Sequence, residues 1–313
     1  MGLAGAGTPR LPAPSGPPVP QDPIKDIDYA HSLGAAGLEM RPKDEDLPRI
    51  RKRLDELGMF AHVGEAPLPT ASGDTSGFER ACKQAQALGS NMIRGALGGR
   101  RYEDFSTLAD FLAFHEQRDS YVRLFAPICE KYKVTLAIEN HKDRTDQQLA
   151  GLLKSVSSEY VGALVDFGNS ISLCATPDET IAALLPYVKS CHVKDMGVEF
   201  YEDGFLLSEV EMGAGILDVK GTIAKLRRQN PNLRLVQETI VRDPLKIPIN
   251  TDKYWATFPE RRAVFEPKIR AFVEAHKPKT PLPRMTGLTP DQRFAASEHA
   301  VRAGFAWAKA HIV

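Results

Sequence analysis

The chain has 313 residues, and its 40 Lys and Arg side chains balance its 40 Asp and Glu side chains to a formal net charge of zero. A neutral chain argues against a protein that must neutralise many phosphates, so a nucleic-acid partner is not expected. No run of 18 apolar residues predicts a membrane span, and the first twenty residues do not resemble a secretory signal. We therefore expect a cytoplasmic globular protein with room for one large α/β domain.

The four cysteines, Cys82, Cys129, Cys174 and Cys191, lie in apolar stretches and form no C-x-x-C pair. This pattern is typical of buried free thiols in a reducing compartment rather than of a disulfide framework.

Residues 8–23 contain seven prolines, so we expect this stretch of the proline-rich N-terminal segment 1–23 to be a loop or tail that carries neither a helix nor a central strand. After it, short apolar runs alternate with helical stretches. Helix-ending glycines such as Gly58 and Gly89 precede several runs. The predicted strands are Ala35–Glu39, Met59–Val63, Asn91–Arg94, Val134–Glu139, Val161–Asp166, Lys189–Val193 and Leu233–Glu238. The predicted helices lie near 45–57, 76–88, 107–132, 145–156, 178–186, 218–229 and 260–276.

Seven strands that alternate with helices predict a parallel sheet. The glycine-rich stretch Gly2–Gly7 supplies a candidate first strand, short and irregular, which would complete a (β/α)8 TIM barrel over residues 24–276. A doubly wound open sheet is the alternative. The barrel is favoured because charged residues end at least four strands, and a barrel collects its strand ends at one mouth.

Residues 277–313 form a separate part of the predicted organisation, a proline-rich linker followed by a helix that starts at Thr289. Apolar side chains at Phe294, Val301, Phe305 and Trp307 indicate that this C-terminal helix packs against something. The partner is either the barrel itself or another subunit, so a homo-oligomer is one expectation.

Four strand ends carry residues with chemical potential: Glu139, Asp166, His192 and Glu238. The first two spacings, 27 and 26 residues, each suit one βα repeat, while the third also contains an insertion at Gly197–Gly213. Because side chains alternate along a strand, the aliphatic residues before Glu139 face the outer helices and Glu139 faces the barrel lumen. His192 is likewise out of phase with its apolar neighbours.

Three carboxylates gathered at one mouth would repel one another and take up protons unless a cation compensated them. Oxygen-rich ligation with one nitrogen favours a single divalent ion, Mn²⁺ or Mg²⁺, with Co²⁺ or Zn²⁺ as alternatives. The sequence therefore predicts a divalent-metal site.

The succession Glu, Asp, His and Glu, with HVKD around His192 and GAGILD at Gly213–Asp218, resembles the xylose isomerase-like TIM-barrel superfamily. The closer resemblance is to its sugar-phosphate isomerase/epimerase branch. It implies that the four residues bind one divalent metal and that Glu139 and Glu238 are the acid–base pair of an epimerase. The chain departs from the epimerases at Asn169, where they usually carry a histidine.

His141, two residues after Glu139, is placed to act as a general base if the strand continues, and otherwise is a loop or capping residue. A metal-ligating glutamate followed by a histidine is also similar to the C-glycoside deglycosidases that act on 3-oxo-glycosides. Lys194 is in phase with His192 and either binds a substrate oxygen or phosphate, or pairs with Asp195 or a barrel carboxylate. Arg94 and Glu65 either orient the substrate or pair with each other, and Trp255 is expected to wall the pocket against water.

Together these observations predict an enzyme acting on a sugar or related polyhydroxy carbonyl compound. A base removes the proton next to a metal-bound carbonyl, and reprotonation completes an isomerisation or epimerisation. Loss of a β-substituent would instead make the protein a lyase, either a dehydratase or a deglycosidase. Two other classes remain open: an endonuclease IV-like nuclease, disfavoured by the few histidines, and a non-catalytic binding protein.

Overall fold

The computed structural model describes residues 1–3, 22–71, 73–278 and 280–312, so most of the predicted proline-rich loop at 8–23 lies outside the described residues. The strands in these ranges are β1 (Gly2–Leu3), β2 (Gly37–Met40), β3 (Phe60–Val63), β4 (Met92–Gly95), β5 (Thr135–Glu139), β6 (Val161–Asp166), β7 (Val188–Val193), β8 (Asp195–Tyr201), β9 (Gly204–Val210), β10 (Leu235–Gln237) and β11 (Leu245–Ile247). The helices are α1 (Pro23–Ser32), α2 (Leu47–Leu57), α3 (Ser76–Ala87), α4 (Arg101–Asp104), α5 (Leu108–Tyr132), α6 (Asp146–Val156), α7 (Pro177–Leu184), α8 (Val219–Gln229), α9 (Asp252–Trp255), α10 (Arg262–Ala275) and α11 (Pro290–His311).

A closed barrel of parallel strands forms the centre of the described structure, in the order β1-β10-β7-β6-β5-β4-β3-β2. The short β1 closes it: Gly2 is opposite Val236 on one side and Gly37 on the other. The predicted TIM barrel is therefore confirmed, and its first strand includes Gly2 and Leu3. A Cβ on Gly37 would lie 2.4 Å from the ring of Phe60, so this narrow part of the barrel needs a residue without a side chain.

Local signals explain the helix boundaries. The Thr176 side chain accepts a hydrogen bond from the Glu179 backbone, and the Glu179 carboxylate accepts one from the Thr176 backbone, which makes a capping box before Pro177. Gly58 ends α2 with a φ of 63°, a conformation that costs a residue with a Cβ more than it costs glycine. The helix α1 begins at Pro23 and was not among the predicted helices.

The outward faces of the barrel strands form the main core. Leu136, Ile138, Val165 and Cys191 belong to one buried cluster that also includes apolar residues of the outer helices. This arrangement confirms the predicted side-chain alternation, because the polar residues of the same strands point into the lumen. All four cysteines are free and buried, as predicted. No helix in the described ranges combines the length and the apolar character needed to span a membrane.

A second, three-stranded sheet follows the barrel strand β7. The predicted insertion Gly197–Gly213 is largely an antiparallel hairpin of β8 and β9, and β11 adds to its edge. This sheet shares a separate hydrophobic cluster with Ile269 and Val273 of α10. The helix α10 thus covers the added sheet.

The C-terminal helix α11 occupies the outer layer beside β10. Val301 and Phe305 are buried in a cluster shared with α1, and Trp307 packs against the cluster that contains α8. The side-chain amide of Gln237, which points outward from β10, donates to the Val301 carbonyl at 3.2 Å. The apolar face of α11 therefore packs on the chain's own barrel. Burying Val301 and Phe305 contributes about 1.5–3 kcal/mol for each side chain.

Candidate metal centre

Four acidic and imidazole side chains meet at the carboxyl-terminal mouth of the barrel. Glu139 and Asp166 are the last residues of β5 and β6, His192 lies one residue before the end of β7, and Glu238 follows β10. Each offers one ligand atom, and these atoms lie within 4.8 Å of one another. All four side chains are buried. Parallel strands in a closed barrel place successive strand ends around one opening, which is why residues 99 positions apart converge here.

The orientation of His192 fits a metal ligand. Its Nε2 lies 3.2 Å from an oxygen of the buried Glu39, and this carboxylate accepts the ring N–H. Its Nδ1 is buried without a hydrogen-bond partner, 3.6 Å from Glu238 and 3.8 Å from Glu139. A carboxylate behind a histidine commonly fixes the ring and its tautomer in metal sites. The unpaired nitrogen, aimed at two carboxylates, therefore matches the donor set of a divalent cation.

Asp166 is also held in a ligand-like pose. Its Oδ1 accepts backbone hydrogen bonds from Gly168 at 2.9 Å and Asn169 at 2.8 Å, which fixes the carboxylate plane. Its Oδ2 makes no hydrogen bond, although the Lys194 ammonium lies 2.7 Å away. This Asp166 oxygen, whose neighbour is Lys194, and the His192 nitrogen without a hydrogen bond belong to the same cluster. The residues present thus fit a bound cation.

Lys194 lies inside this cluster. Besides Asp166, its ammonium contacts Glu238, and it lies 3.6 Å from Glu209 on β9. Burial opposes its charge, but Asp166, Glu209 and Glu238 together raise the pKa of Lys194 well above its ordinary value. The structure therefore pairs Lys194 with carboxylates of the cluster, which was the second of the two predicted alternatives. Its ammonium and the His192 ring carry the positive charge that balances the acidic groups.

Glu139 has the most constrained carboxylate of the four. Arg94 on β4 donates to Glu139 Oε2 through Nε at 2.8 Å and also through its second terminal nitrogen. The Asn169 amide donates to Glu139 Oε1 at 3.0 Å. Burial raises the pKa of Glu139, but the nearby His192 and Arg94 cations outweigh this effect and hold the pKa at about 2. Glu139 is therefore ionised throughout the neutral range.

His141 does not continue the strand, because β5 ends at Glu139. The intervening Asn140 turns away and binds the Asp166 backbone, donating to its carbonyl at 3.0 Å and accepting from its N–H at 2.6 Å. His141 is partly exposed and makes no hydrogen bond with the described residues. Burial is the main cause that lowers the pKa of His141 to about 4, so the ring is neutral at pH 7 and can accept a proton.

The other two candidate substrate-binding residues pair with groups outside this cluster. Glu65 forms an exposed ion pair with Arg41 at 2.9 Å rather than with Arg94. Trp255 is buried in the cluster beneath the added sheet, and its indole N–H donates to the Ile249 carbonyl at 2.8 Å. Contacts of either residue with a substrate stay predictions.

Sequence reasoning missed several polar residues around the centre. Glu209 reaches it from the unpredicted hairpin, and Lys142 bonds to the side chain of Asn169 at 3.1 Å. Asp195 was noticed only as part of HVKD. Its carboxylate accepts backbone N–H groups from Met196, Gly213, Gly215 and Leu217 at 2.8–3.1 Å, which joins the two motifs HVKD and GAGILD. The glycines of the second motif were the available signal, since a Cβ on Gly215 would collide with Asp195.

The family model for the xylose isomerase-like TIM barrel matches residues 27–257. The chain belongs to this family. The predicted membership is thereby confirmed, and the matched residues include all four members of the cluster. The comparison with curated proteins finds no match.

Solved structures with the same fold share little sequence with the chain. A D-psicose 3-epimerase crystallised with D-fructose has a TM-score of 0.62 at 16% identity, over 93% of this chain and 94% of its own. A xylose isomerase-like protein from Mycobacterium smegmatis in complex with magnesium has a TM-score of 0.54 at 16% identity, over 80% and 88%. The probable 3-DHS dehydratase of Bacillus anthracis has a TM-score of 0.56 at 13% identity, over 87% and 97%. At these identities the likeness shows the fold.

Proposed function

We propose that the protein is a divalent-metal-dependent enzyme that removes a proton next to the carbonyl group of a sugar or related polyhydroxy compound, and that it acts as an isomerase or epimerase. One observation carries the proposal: ligand atoms of Glu139, Asp166, His192 and Glu238 lie within 4.8 Å of one another at the barrel mouth. The unpaired Nδ1 of His192 among three carboxylates supports a cation at this point. Mn²⁺ or Mg²⁺ suits the oxygen-rich donors, with Co²⁺ or Zn²⁺ as alternatives.

A bound divalent ion would supply Lewis-acid polarisation of the substrate carbonyl. The chain itself must move the proton. Glu139 and Glu238 face each other across His192, so each carboxylate can approach one face of a substrate held between them. In an epimerisation one glutamate would remove the proton and the other would return one from the opposite face.

The surrounding cations have supporting roles. Arg94 fixes the position of Glu139. In this proposal Lys194 leaves its carboxylate partners when the metal binds them, and its ammonium then donates a hydrogen bond to a substrate oxygen. Glu65 and Trp255 stay in the proposal as substrate-binding residues. One structural neighbour, a D-psicose 3-epimerase, was crystallised with D-fructose, which supports a carbohydrate as the substrate of this chain.

Elimination is the second candidate, and His141 favours it. The two glutamates are held by cations: Glu139 by Arg94, and Glu238 by Lys194. His141 follows Glu139 by two residues and makes no hydrogen bond with the described residues, so its ring is available as a base. One structural neighbour is a probable 3-DHS dehydratase, which supports elimination as the second candidate. In this candidate His141 removes the proton and a β-substituent leaves.

Exchange of solvent deuterium into a panel of ketoses, 3-oxo-glycosides and dehydroshikimate tests both candidates. Both outcomes start with removal of a C–H proton, so NMR should show deuterium at the carbon beside the carbonyl. Product spectra then separate a rearranged sugar from an unsaturated one. EDTA should stop the exchange and Mn²⁺ should restore it.

Two variants divide the roles of the bases. Glu238→Gln should abolish epimerisation, whereas His141→Ala should abolish elimination and leave epimerisation intact. His31→Ala, at an exposed helix position, is the matched control for loss of a histidine. Purified protein with no bound divalent ion, and exchange that is indifferent to EDTA, would refute the proposal.

A further inference from the structure

Lys142 is a buried lysine without an acidic partner among the described residues. Only 3% of its surface is exposed, and its single hydrogen bond goes to the neutral side-chain oxygen of Asn169 at 3.1 Å. No carboxylate of the described residues lies within 4.0 Å of its ammonium. The other buried lysine, Lys194, has three carboxylates around it. Lys194 shows that a buried ammonium at this mouth can have acidic partners, so the lack of one at Lys142 does not follow from burial alone.

An uncompensated ammonium in such a place is unfavourable for the folded protein. Burial penalises the charged form, and Lys194, Arg242 and Arg100 add repulsion; these effects outweigh the attraction of the more distant Asp166 and lower the pKa of Lys142 to about 8. At pH 7 the group still carries its proton. Two of its three N–H donors have no acceptor among the described residues, so the folded chain holds a cation ready to bind an anion.

The position of Lys142 ties it to the metal centre. Asn169 accepts from Lys142 through its side-chain oxygen and donates to Glu139 through its side-chain nitrogen, so one amide separates the ammonium from a metal-site carboxylate. The backbone carbonyl of Lys142 accepts from the Arg101 N–H at 2.8 Å, which fixes this loop against the loop after β4. A substrate seated at the metal centre would thus have Lys142 at its edge.

Further cations occupy the same edge of the mouth. Arg242, in the loop after β10, is about one-third exposed, and its closest acidic partner is Glu209 at 3.7 Å. Arg100 is about one-third exposed and pairs with Glu103. These side chains and Lys142 come from three different loops, so their positive field converges on one side of the opening.

We propose that Lys142 binds an anionic group, a carboxylate or a phosphate, on the substrate, which makes the substrate an acidic or phosphorylated polyhydroxy carbonyl compound rather than a neutral sugar. This inference rests on the proposed function, because it assumes that the substrate sits at the metal centre. The anion serves as the counter-ion that the chain does not supply, and it accepts hydrogen bonds from the two free N–H groups of the ammonium. Asn169 holds the ammonium toward the metal centre.

Calorimetric titration of the Mn²⁺-loaded protein with three sugars on one carbon skeleton tests the inference. D-fructose is the neutral probe, D-fructose 6-phosphate carries a phosphate and 2-keto-D-gluconate carries a carboxylate. One of the anionic sugars should bind about 10- to 100-fold more tightly than D-fructose, the gain expected for a charge-assisted hydrogen bond. The anionic sugar that binds more tightly than D-fructose identifies the recognised group as a phosphate or a carboxylate.

Variants of Lys142 assign the effect to this residue. Lys142→Met should abolish the preference and leave the D-fructose affinity unchanged, whereas Lys142→Arg should retain it. Lys142→Met should also unfold at a temperature no lower than the wild type, because it removes an unpaired buried charge. Lys154→Met, at an exposed position of α6, is the control.

Three results would overturn the inference: neither anionic sugar binds, D-fructose binds as tightly as both, or Lys142→Met keeps the preference. Failure of the proposed function looks different. In that case Mn²⁺ fails to bind or metal-dependent deuterium exchange is absent, whatever the preference for anions.

Discussion

The contact between Glu39 and His192 gives the sharpest test of the metal centre. Glu39 lies on β2, and its carboxylate accepts the Nε2–H of His192 at 3.2 Å, which directs Nδ1 at Glu139 and Glu238 and makes Nδ1 the nitrogen that a metal would bind in place of its proton. In a Glu39→Gln variant the side chain keeps its shape but loses its charge. The amide can also rotate and offer its NH₂ group to the ring, which would move the ring proton to Nδ1. A protonated Nδ1 cannot ligate a metal.

The expected loss follows from this geometry. Replacing the carboxylate behind a metal-ligating histidine typically weakens metal binding by about 10- to 100-fold. That range corresponds to ~1.4–2.7 kcal/mol. With Mn²⁺ at 100 times the wild-type Kd, the metal stabilises the wild type by about 2.7 kcal/mol. If the Kd rises 100-fold, the same concentration stabilises the variant by only about 0.4 kcal/mol.

Two measurements check this prediction: calorimetric titration of the metal-free protein with Mn²⁺, and urea unfolding with and without Mn²⁺. Glu56→Gln is the matched control, because it removes one negative charge from an exposed position on α2 that pairs with Arg53. The control should bind Mn²⁺ like the wild type. Equal affinities for the wild type and Glu39→Gln would refute the role assigned to the Glu39 carboxylate.

Three further predictions concern stability and pH. Asp195→Ala should destabilise the fold by about 3 kcal/mol in urea unfolding, because four backbone N–H groups lose a buried carboxylate acceptor. Gly304→Ala should destabilise the fold by about 1 kcal/mol, since the new methyl would lie 2.3 Å from the Gln237 amide. Its control, Gly151→Ala, should instead stabilise the fold by up to ~1 kcal/mol, because no atom lies within 4 Å of the added methyl and alanine favours the helix. Burial lowers the pKa of His115 to about 3, so the unfolded chain takes up this proton first as the pH falls below about 6.5. Between pH 7 and pH 5 the free energy of unfolding of the wild type should fall by about 2 kcal/mol, whereas that of a His115→Gln variant should not show this loss, as measured by unfolding at both pH values.

Each of these predictions has a clear contrary result. Unchanged stability of Asp195→Ala would mean that the loop at Gly213–Leu217 does not depend on this carboxylate. Stabilisation by Gly304→Ala would contradict the close packing of α11 against β10. Parallel pH profiles for the wild type and His115→Gln would show that this histidine titrates normally in the folded state.

The sequence by itself determined the barrel and the identity of the cluster. Alternation of apolar runs with helices, and the side-chain parity within each run, depend on neighbours a few residues apart and can be recognised along the chain. The closed barrel and the convergence of Glu139, Asp166, His192 and Glu238 agree with that prediction. The capping box at Thr176 was equally local and equally predictable.

Only the tertiary structure decided how these residues are paired. Glu39 meets His192 across 153 positions, Lys194 turns toward Asp166 and Glu238, and Arg94 holds Glu139 rather than Glu65. Each choice depends on which strands become neighbours when the barrel closes and on side-chain rotamers. Neither property is encoded in the spacing along one strand.

In the outer layer, too, local sequence determined the helices and tertiary packing determined their positions. A helix after Thr289 could be predicted from its capping residues, but only the tertiary structure shows that it packs beside β10 while α10 covers the added sheet. That sheet forms because β11, far along the chain, pairs with β9. Local patterns therefore specified the elements and the residues of the cluster, while closure of the barrel and packing of the outer layer specified their partners.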